Sequence, residues 1–209
     1  MKNEKESEST KSKILETAVK LFAHKGFDAV SVREICKQAG VNLCLISYYF
    51  GGKQELYNAI LNDLIEKQTL FAKKFIDFSI EPRNLKKQEQ IDLLFKVLDK
   101  FIYFFYSNIS SDVILLLLKE QQSPDFKINS PAFEYLRKTI AAVFNLEKES
   151  KEAVYQTLFI ISQINSPKIF PAFSLRLLGQ DTFCEDDIKI IRNNIKFYIN
   201  LILKEKGIV

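Results

Sequence analysis

Between Ser31 and Lys53 the chain gathers Ser31, Arg33, Asn42, Ser47, Tyr48 and Lys53, which is two aliphatic hydroxyls, a guanidinium, a carboxamide, a phenol and an ammonium. These groups hydrogen-bond to phosphate oxygens and to the edges of bases. Leu43 and Cys44 stand among them and suit contact with thymine methyl groups. The same set is poor in catalytic chemistry. His24 is the only histidine, and no acidic or thiol partner stands near it in the sequence, so a Ser-His-Asp or Cys-His set has little support. Gly51-Gly52-Lys53 lacks the earlier glycine of a phosphate loop, and Gln54 occupies the place where Ser or Thr would bind magnesium. Cys36, Cys44 and Cys184 are odd in number, widely spaced and form no C-x-x-C pair, so neither a disulfide framework nor a zinc site is expected, and a reducing cytosol fits. Glu185-Asp186-Asp187 reads as acid at a helix N-terminus. No enzyme activity, metal or cofactor is expected.

Helices must position these residues. Apolar residues make up 47% of 209, while Gly and Pro number only 6 and 5. That balance favours long helices over many short strands. Ile14, Leu15, Ala18, Leu21 and Phe22 recur at helical spacing from about Lys11 to Gly26. Ser31-Val32-Arg33-Glu34 reads as a capping box, in which Ser31 takes free backbone N–H groups and Glu34 reaches back. Gly40 stops that second helix after about two turns, and Asn42 is a good N-cap for a third, from about Leu43 to Phe50. A short helix, a glycine turn and another short helix form a helix-turn-helix pattern. Ile35, Ala39, Val41, Ile46 and Phe50 would face the first helix, which turns Leu43, Cys44, Ser47 and Tyr48 outward. Leu45 and Tyr49 also fit packing positions, Tyr49 the better of the two.

Charge points the same way. From Lys11 to Lys53 seven basic residues face three acidic ones, a local +4 equal to the net charge of the whole chain. A basic segment of this kind suits a polyanion. Ser31 and its neighbouring N–H groups would form one phosphate site, with Lys53 clamping a second. Arg33 could reach a base or a phosphate.

The rest of the chain reads as further helices: about Lys53–Phe78, Leu85–Asn108, Asp112–Gln122, a helix ending near Phe144, Lys148–Asn165, Phe170–Leu178 and Asp186–Lys204. The total is nine or ten, with no convincing strand pair, so the expected fold class is all-α. The expected division is a disordered polar tail (1–10), a helix-turn-helix domain (11–52) and a larger helical domain (53–209). The polar N-terminus shows no signal peptide. The aliphatic run Val113–Leu118 falls far short of the roughly 20 residues that span a bilayer. A cytoplasmic protein without membrane contact is expected.

Three stretches resemble the N-terminal domain of the TetR family of transcriptional regulators: K-I-L-E-T-A-V-K-L-F-A-H-K-G-F from Lys13, S-V-R-E-I-C-K-Q-A-G-V-N from Ser31, and I-S-Y-Y-F-G-G-K-Q-E-L-Y from Ile46. The family usually carries Tyr at the position of Ser47. This chain is instead similar to the CecR-like subgroup, which reads N-x-x-x-I-x-Y-H-F-G-G-K, with Tyr49 here in place of the usual His. K-E-Q-Q-S-P from Lys119 and P-A-F-E-Y-L from Pro131 resemble the subgroup's E-Q-x-x-P…A-F segment at a longer spacing. The resemblance implies DNA contacts at Ser31, Arg33, Asn42, Leu43, Cys44, Ser47, Tyr48 and Lys53, a homodimer on an operator, and an effector cavity in the C-terminal domain.

Eighteen Phe and eight Tyr suit either a plain aromatic core or a pocket for a hydrophobic or aromatic effector. The candidate pocket comprises Phe71, Phe75, Phe101, Phe104, Phe105 and Phe159, with Glu120, Gln121, Gln122, Arg137 and Gln163 as polar groups. Two apolar stripes, Val154, Leu158 and Ile161, then Ile188, Ile191, Ile195, Tyr198 and Ile202, suit either an internal core or a four-helix dimer interface. The expected function is a ligand-responsive repressor that reads a palindrome as a dimer. The alternative is an all-helical carrier or adaptor for an apolar ligand that does not touch DNA.

Overall fold

The computed structural model describes residues 2–121 and 130–209, all helix and connection, with no strand among them. Gln122, Pro124 and Asn129 lie outside these residues. The ten helices are α1 (Lys2–Lys25), α2 (Val32–Ala39), α3 (Cys44–Phe50), α4 (Lys53–Lys73), α5 (Lys87–Asn108), α6 (Ser111–Glu120), α7 (Pro131–Val143), α8 (Lys151–Ile169), α9 (Pro171–Leu178) and α10 (Glu185–Glu205). A 3-10 turn at Pro82–Asn84 precedes α5.

The chain forms two compact units. The first takes Met1–Lys67 and Ser110–Ile128, and the second Gln68–Ile109 and Asn129–Val209. This division differs from a cut at residue 52. Most of α4 and all of α6 join the helix-turn-helix, because their apolar residues finish its core. Ile14, Ala18 and Phe22 of α1, Ile35 and Ala39 of α2, Ile46 of α3, Leu56 and Ile60 of α4, and Leu116 of α6 form one buried cluster. Nor does α1 start at Lys11. It runs back through the polar residues to Lys2, a stretch rich in Lys and Glu, which are good helix formers.

Glycines end the short helices where φ turns positive. Gly40 closes α2 at φ 64°, and Gly51 closes α3 at φ 90°, conformations that side chains with a Cβ resist.

The second unit packs α5 against α7, α8 and α10. The sequence places the end of this helix near Asn165, yet α8 continues through Pro167 to Ile169. The proline removes one ladder hydrogen bond and crowds the preceding turn, costs that packing overrides here. The next residue, Lys168, is buried and donates to the carbonyls of Phe105 (2.8 Å), Tyr106 (3.0 Å) and Ile109 (2.6 Å), where α5 leaves its last acceptors unfilled.

Candidate functional site

In the first unit the local sequence folds as its caps dictate, with one exception. Ser31 Oγ accepts from the Glu34 N–H at 3.1 Å, but Glu34 does not complete a capping box. Its carboxylate turns to Lys25 Nζ instead, because an ion pair with the end of α1 outcompetes a neutral N–H. Asn42 Oδ1 accepts from Cys44 N–H at 3.0 Å, so Asn42 caps α3 although the helix is counted from Cys44. Its amide NH2 stays available for an acceptor outside the protein.

Ile46 is buried, and Leu45, Tyr49 and Phe50 are half-buried against the core. Asn42, Leu43, Cys44, Ser47 and Tyr48 are all exposed, and Tyr48 is 78% accessible, an unusual exposure for an aromatic ring that its neighbour Tyr49 meets edge-on. Ser31 and Arg33 are exposed at the start of α2. Lys53 is half-buried at the start of α4, with its ammonium 4.3 Å from the centre of the Phe27 ring. That contact holds the ammonium near the α3–α4 turn.

His24 has a partner that its sequence neighbours did not reveal. Its Nε2 lies 2.8 Å from Asp112 Oδ1, 88 positions away on α6. The pair is exposed and joins α1 to α6. Lys119 donates to Ala23 O at the other end of the same joint. The Tyr57 hydroxyl donates to Glu120 at 2.5 Å, and burial, reinforced by that carboxylate, raises its pKa. Burial likewise pushes the Cys36 thiol up, which marks it as an inert core group.

The second unit holds a cavity of about 20 Å³, lined by Gln68, Phe71 and Ala72 of α4, Ile76 and Phe78 beyond it, Val97, Lys100, Phe101 and Phe104 of α5, and Ala132, Tyr135 and Leu136 of α7. Of the residues expected to line a pocket, only Phe71, Phe101 and Phe104 do so. Phe75 packs on Phe71 at 5.3 Å and is partly exposed. Phe105 turns to another face of α5, against Tyr106 and under Lys168. Glu120 and Gln121 belong to the first unit, one bound to Tyr57 and the other ending α6. Arg137 is held by Glu134 and Glu149, which also keep its pKa high. Phe159 faces outward, and Gln163 lines a separate groove between α8 and α10. The sequence reading missed Gln68, Lys100 and Tyr135. A signal for Lys100 was there: with Val97, Phe101 and Phe104 it completes an i, i+3, i+4, i+7 stripe, and it alone is charged.

Of the two stripes read as an interface, that on α8 looks outward at Val154 and Leu158, with Ile161 half-buried. On α10 the choice of face needs correction. Ile188 and Ile195 are buried within their own unit, and Ile191, Tyr198 and Ile202 are half-buried. The residues α10 turns outward are Ile190, Phe197 and Leu201. The helix is apolar on two faces, so periodicity alone did not show which one the core takes.

Comparison with known proteins agrees with this geometry. Residues 14–60 match the model for bacterial regulatory proteins of the tetR family. YttP of Bacillus subtilis is 36% identical over 52% of this chain and 54% of its own, so the match spans about half of that relative. The dual transcriptional regulator CecR of Shigella flexneri is 25% identical over 94% of this chain and 92% of its own. IcaR of Staphylococcus epidermidis, named a negative transcriptional regulator of a biofilm operon, is 27% identical over 61% of each chain. Among solved structures, a transcriptional regulator of Aquifex aeolicus superposes with a TM-score of 0.55 at 19% identity, covering 92% of this chain and 99% of its own. A TetR transcription regulator of Haloarcula marismortui gives 0.56 at 15% identity, covering 93% and 98%.

Proposed function

We propose that this chain is a regulator of the TetR family, whose domain model its residues 14–60 match, and that it acts as a homodimeric repressor whose α3 helices enter successive major grooves of a palindromic operator. The observation that carries the reading is the solvent-facing side of α3, where Leu43, Cys44, Ser47 and Tyr48 stand exposed beside Asn42. A soluble surface gains nothing from an exposed Leu and Tyr at this position, whereas a major groove offers both methyl groups and hydrogen-bonding edges. Ser31, Arg33 and Lys53 flank them as backbone anchors. One seven-residue helix reads too little sequence to be selective; two on a two-fold axis, about 34–36 Å apart, read a full site.

The dimer forms through the outward faces of α8 and α10, where Val154, Leu158, Ile190, Phe197 and Leu201 are exposed together. A largely hydrophobic effector enters the aromatic cavity of the second unit and releases the operator. At about 20 Å³ that cavity holds one water, so the effector binds a more open conformation and draws the population toward it. One continuous helix carries the response: α4 presents Phe71 to the cavity and Lys53 to the DNA contact surface. Coupling of about 1–3 kcal/mol would change operator affinity about 5- to 150-fold.

The test begins with the operator, selected from a random DNA pool by the purified protein. Affinity should fall linearly on a log–log scale with salt, as phosphate neutralisation requires. Arg33→Ala with Tyr48→Ala should abolish specific binding, at a cost of about 1–3 kcal/mol per contact and half-site, while the dimer stays folded. Unchanged operator affinity in that variant would overturn the assigned surface. Absence of any salt-dependent DNA binding would favour a carrier of apolar ligands instead.

A further inference from the structure

The cavity among α4, α5 and α7 is almost wholly apolar, yet one lysine shares its wall. Val97, Phe101 and Phe104 bracket Lys100 on a single face of α5, so its stem runs along the same surface as their side chains. The ammonium lies 4.6 Å from the centre of the Phe75 ring. Among the described residues it pairs with the Asp99 carboxylate at 3.3 Å, and the other oxygen of Asp99 is taken by Arg192. Two cations therefore share one anion at this corner.

The remaining polar groups of the lining are also committed in a telling way. Gln68 Oε1 already accepts from Ser130 Oγ at 2.7 Å, which leaves its amide N–H bonds as the part on offer. The Tyr135 proton goes to Ile80 O at 3.0 Å. The wall thus presents donors, one of them charged, around an aromatic interior. A cationic guest would be repelled by Lys100, and a neutral donor would compete for the same acceptors.

We infer that the molecule this cavity takes is an amphipathic anion: a slender apolar or aromatic body ending in a carboxylate that pairs with Lys100. The inference rests on the effector reading above and narrows it. The carboxylate gives the Gln68 amide an acceptor and gives Lys100 a second one beside the Asp99 it shares with Arg192, which balances the surplus cation at that corner. The body replaces the closed aromatic contacts as Phe71, Phe101 and Phe104 part. Ile76 and Phe78 are the natural door. They line both the small cavity and a more open groove of about 490 Å³, a groove that carries Lys73 and Asp77.

Calorimetric titration of the full chain, without DNA, tests this with 4-phenylbutyrate and its uncharged analogue 4-phenylbutanol. The acid should bind about tenfold or more tighter than the alcohol, as a charge-assisted hydrogen bond requires. Lys100→Met should erase that preference by weakening the acid, and Lys100→Arg should retain it. Lys100→Gln serves as a second neutral variant should Lys100→Met fail to fold. Ala132→Leu, which fills the cavity, should abolish binding of both. Equal affinity for acid and alcohol in the wild type, or a preference that survives Lys100→Met and Lys100→Gln, overturns the anion while the effector cavity stands. Binding of neither probe, or binding that Ala132→Leu leaves untouched, overturns the cavity itself as the effector site.

Discussion

The two units spend their exposed apolar residues differently. Among described residues of the first, only Leu43 and Tyr48 are large, apolar and exposed, and both sit on or beside α3 amid polar groups. The second exposes a broad set on neighbouring helices: Tyr155, Leu158 and Phe159 on α8, Phe173 and Leu177 on α9, Phe197 and Leu201 on α10. A sparse apolar pair inside a polar, basic surface suits a groove of hydrogen-bonding edges. Many exposed apolar residues on neighbouring helices suit a second protein surface and carry a solubility cost while uncovered. On the proposed function the same physical property serves two different partners, and composition of the surroundings tells them apart.

The largest effect expected from that contrast lies on α10. Phe197 is 70% exposed in the single chain. Phe197→Glu should place like charges at the two-fold interface, convert dimer to monomer in sedimentation, and lower operator affinity about a hundredfold or more, since each half-site alone binds weakly. Each chain should remain folded, because Phe197 contributes little to its own core. A dimer that survives this substitution would remove the α8–α10 face from the assembly.

How far the sequence foretold these surfaces follows from the range of the interactions involved. The helix-turn-helix was readable because its signals are local: the Ser31 cap, Gly40 and Gly51, and the alternation of Ile46 with Ser47 and Tyr48 all act within a turn or two. What escaped depends on distant residues. Nothing near His24 announces Asp112, and nothing near Leu116 announces that α6 closes the core of the first unit. The apolar residues on two faces of α10 hid which side would be buried, and the aromatic run from Phe101 to Tyr106 hid which rings meet in the cavity. Pro167 signalled an end to α8 by local rules, but Lys168 immediately after it is anchored by three carbonyls of α5.

That anchor gives an intermediate effect, confined to the second unit. Lys168→Met leaves the terminal carbonyls of α5 buried without their donor and should cost about 2–3 kcal/mol in denaturant unfolding. Burial also brings the pKa of Lys168 down to about 8. The sign follows from proton counting. Between about pH 8 and 10 the folded chain releases a proton that the unfolded chain, with an ordinary lysine, still holds. Stability therefore rises with pH in that window for the wild type relative to Lys168→Met. Above about pH 10 Tyr57 and Tyr106, whose burial raises their pKa, reverse the slope because the unfolded chain ionises first. A wild-type profile that runs parallel to that of Lys168→Met from pH 8 to 10 would show that the ammonium is not held dry.

The smallest effect belongs to the joint between α1 and α6. His24 is 64% and Asp112 27% accessible at the side chain, so their pair sits in solvent that screens it. Such a pair contributes about 0–1 kcal/mol. The apolar side of the joint, where Leu115 and Leu116 meet the helix-turn-helix core, carries the attachment. His24→Ala should therefore leave urea unfolding of the chain within about 0.5 kcal/mol of the wild type, and Asp112→Asn combined with it should add nothing beyond the single changes. Operator affinity should be unaltered as well, since the pair lies on α1 and α6 and not on α3. A loss of several-fold in DNA affinity at unchanged stability would instead give the pair a part in setting the orientation of α1. Contrast between the units would then rest on charge as much as on apolar surface.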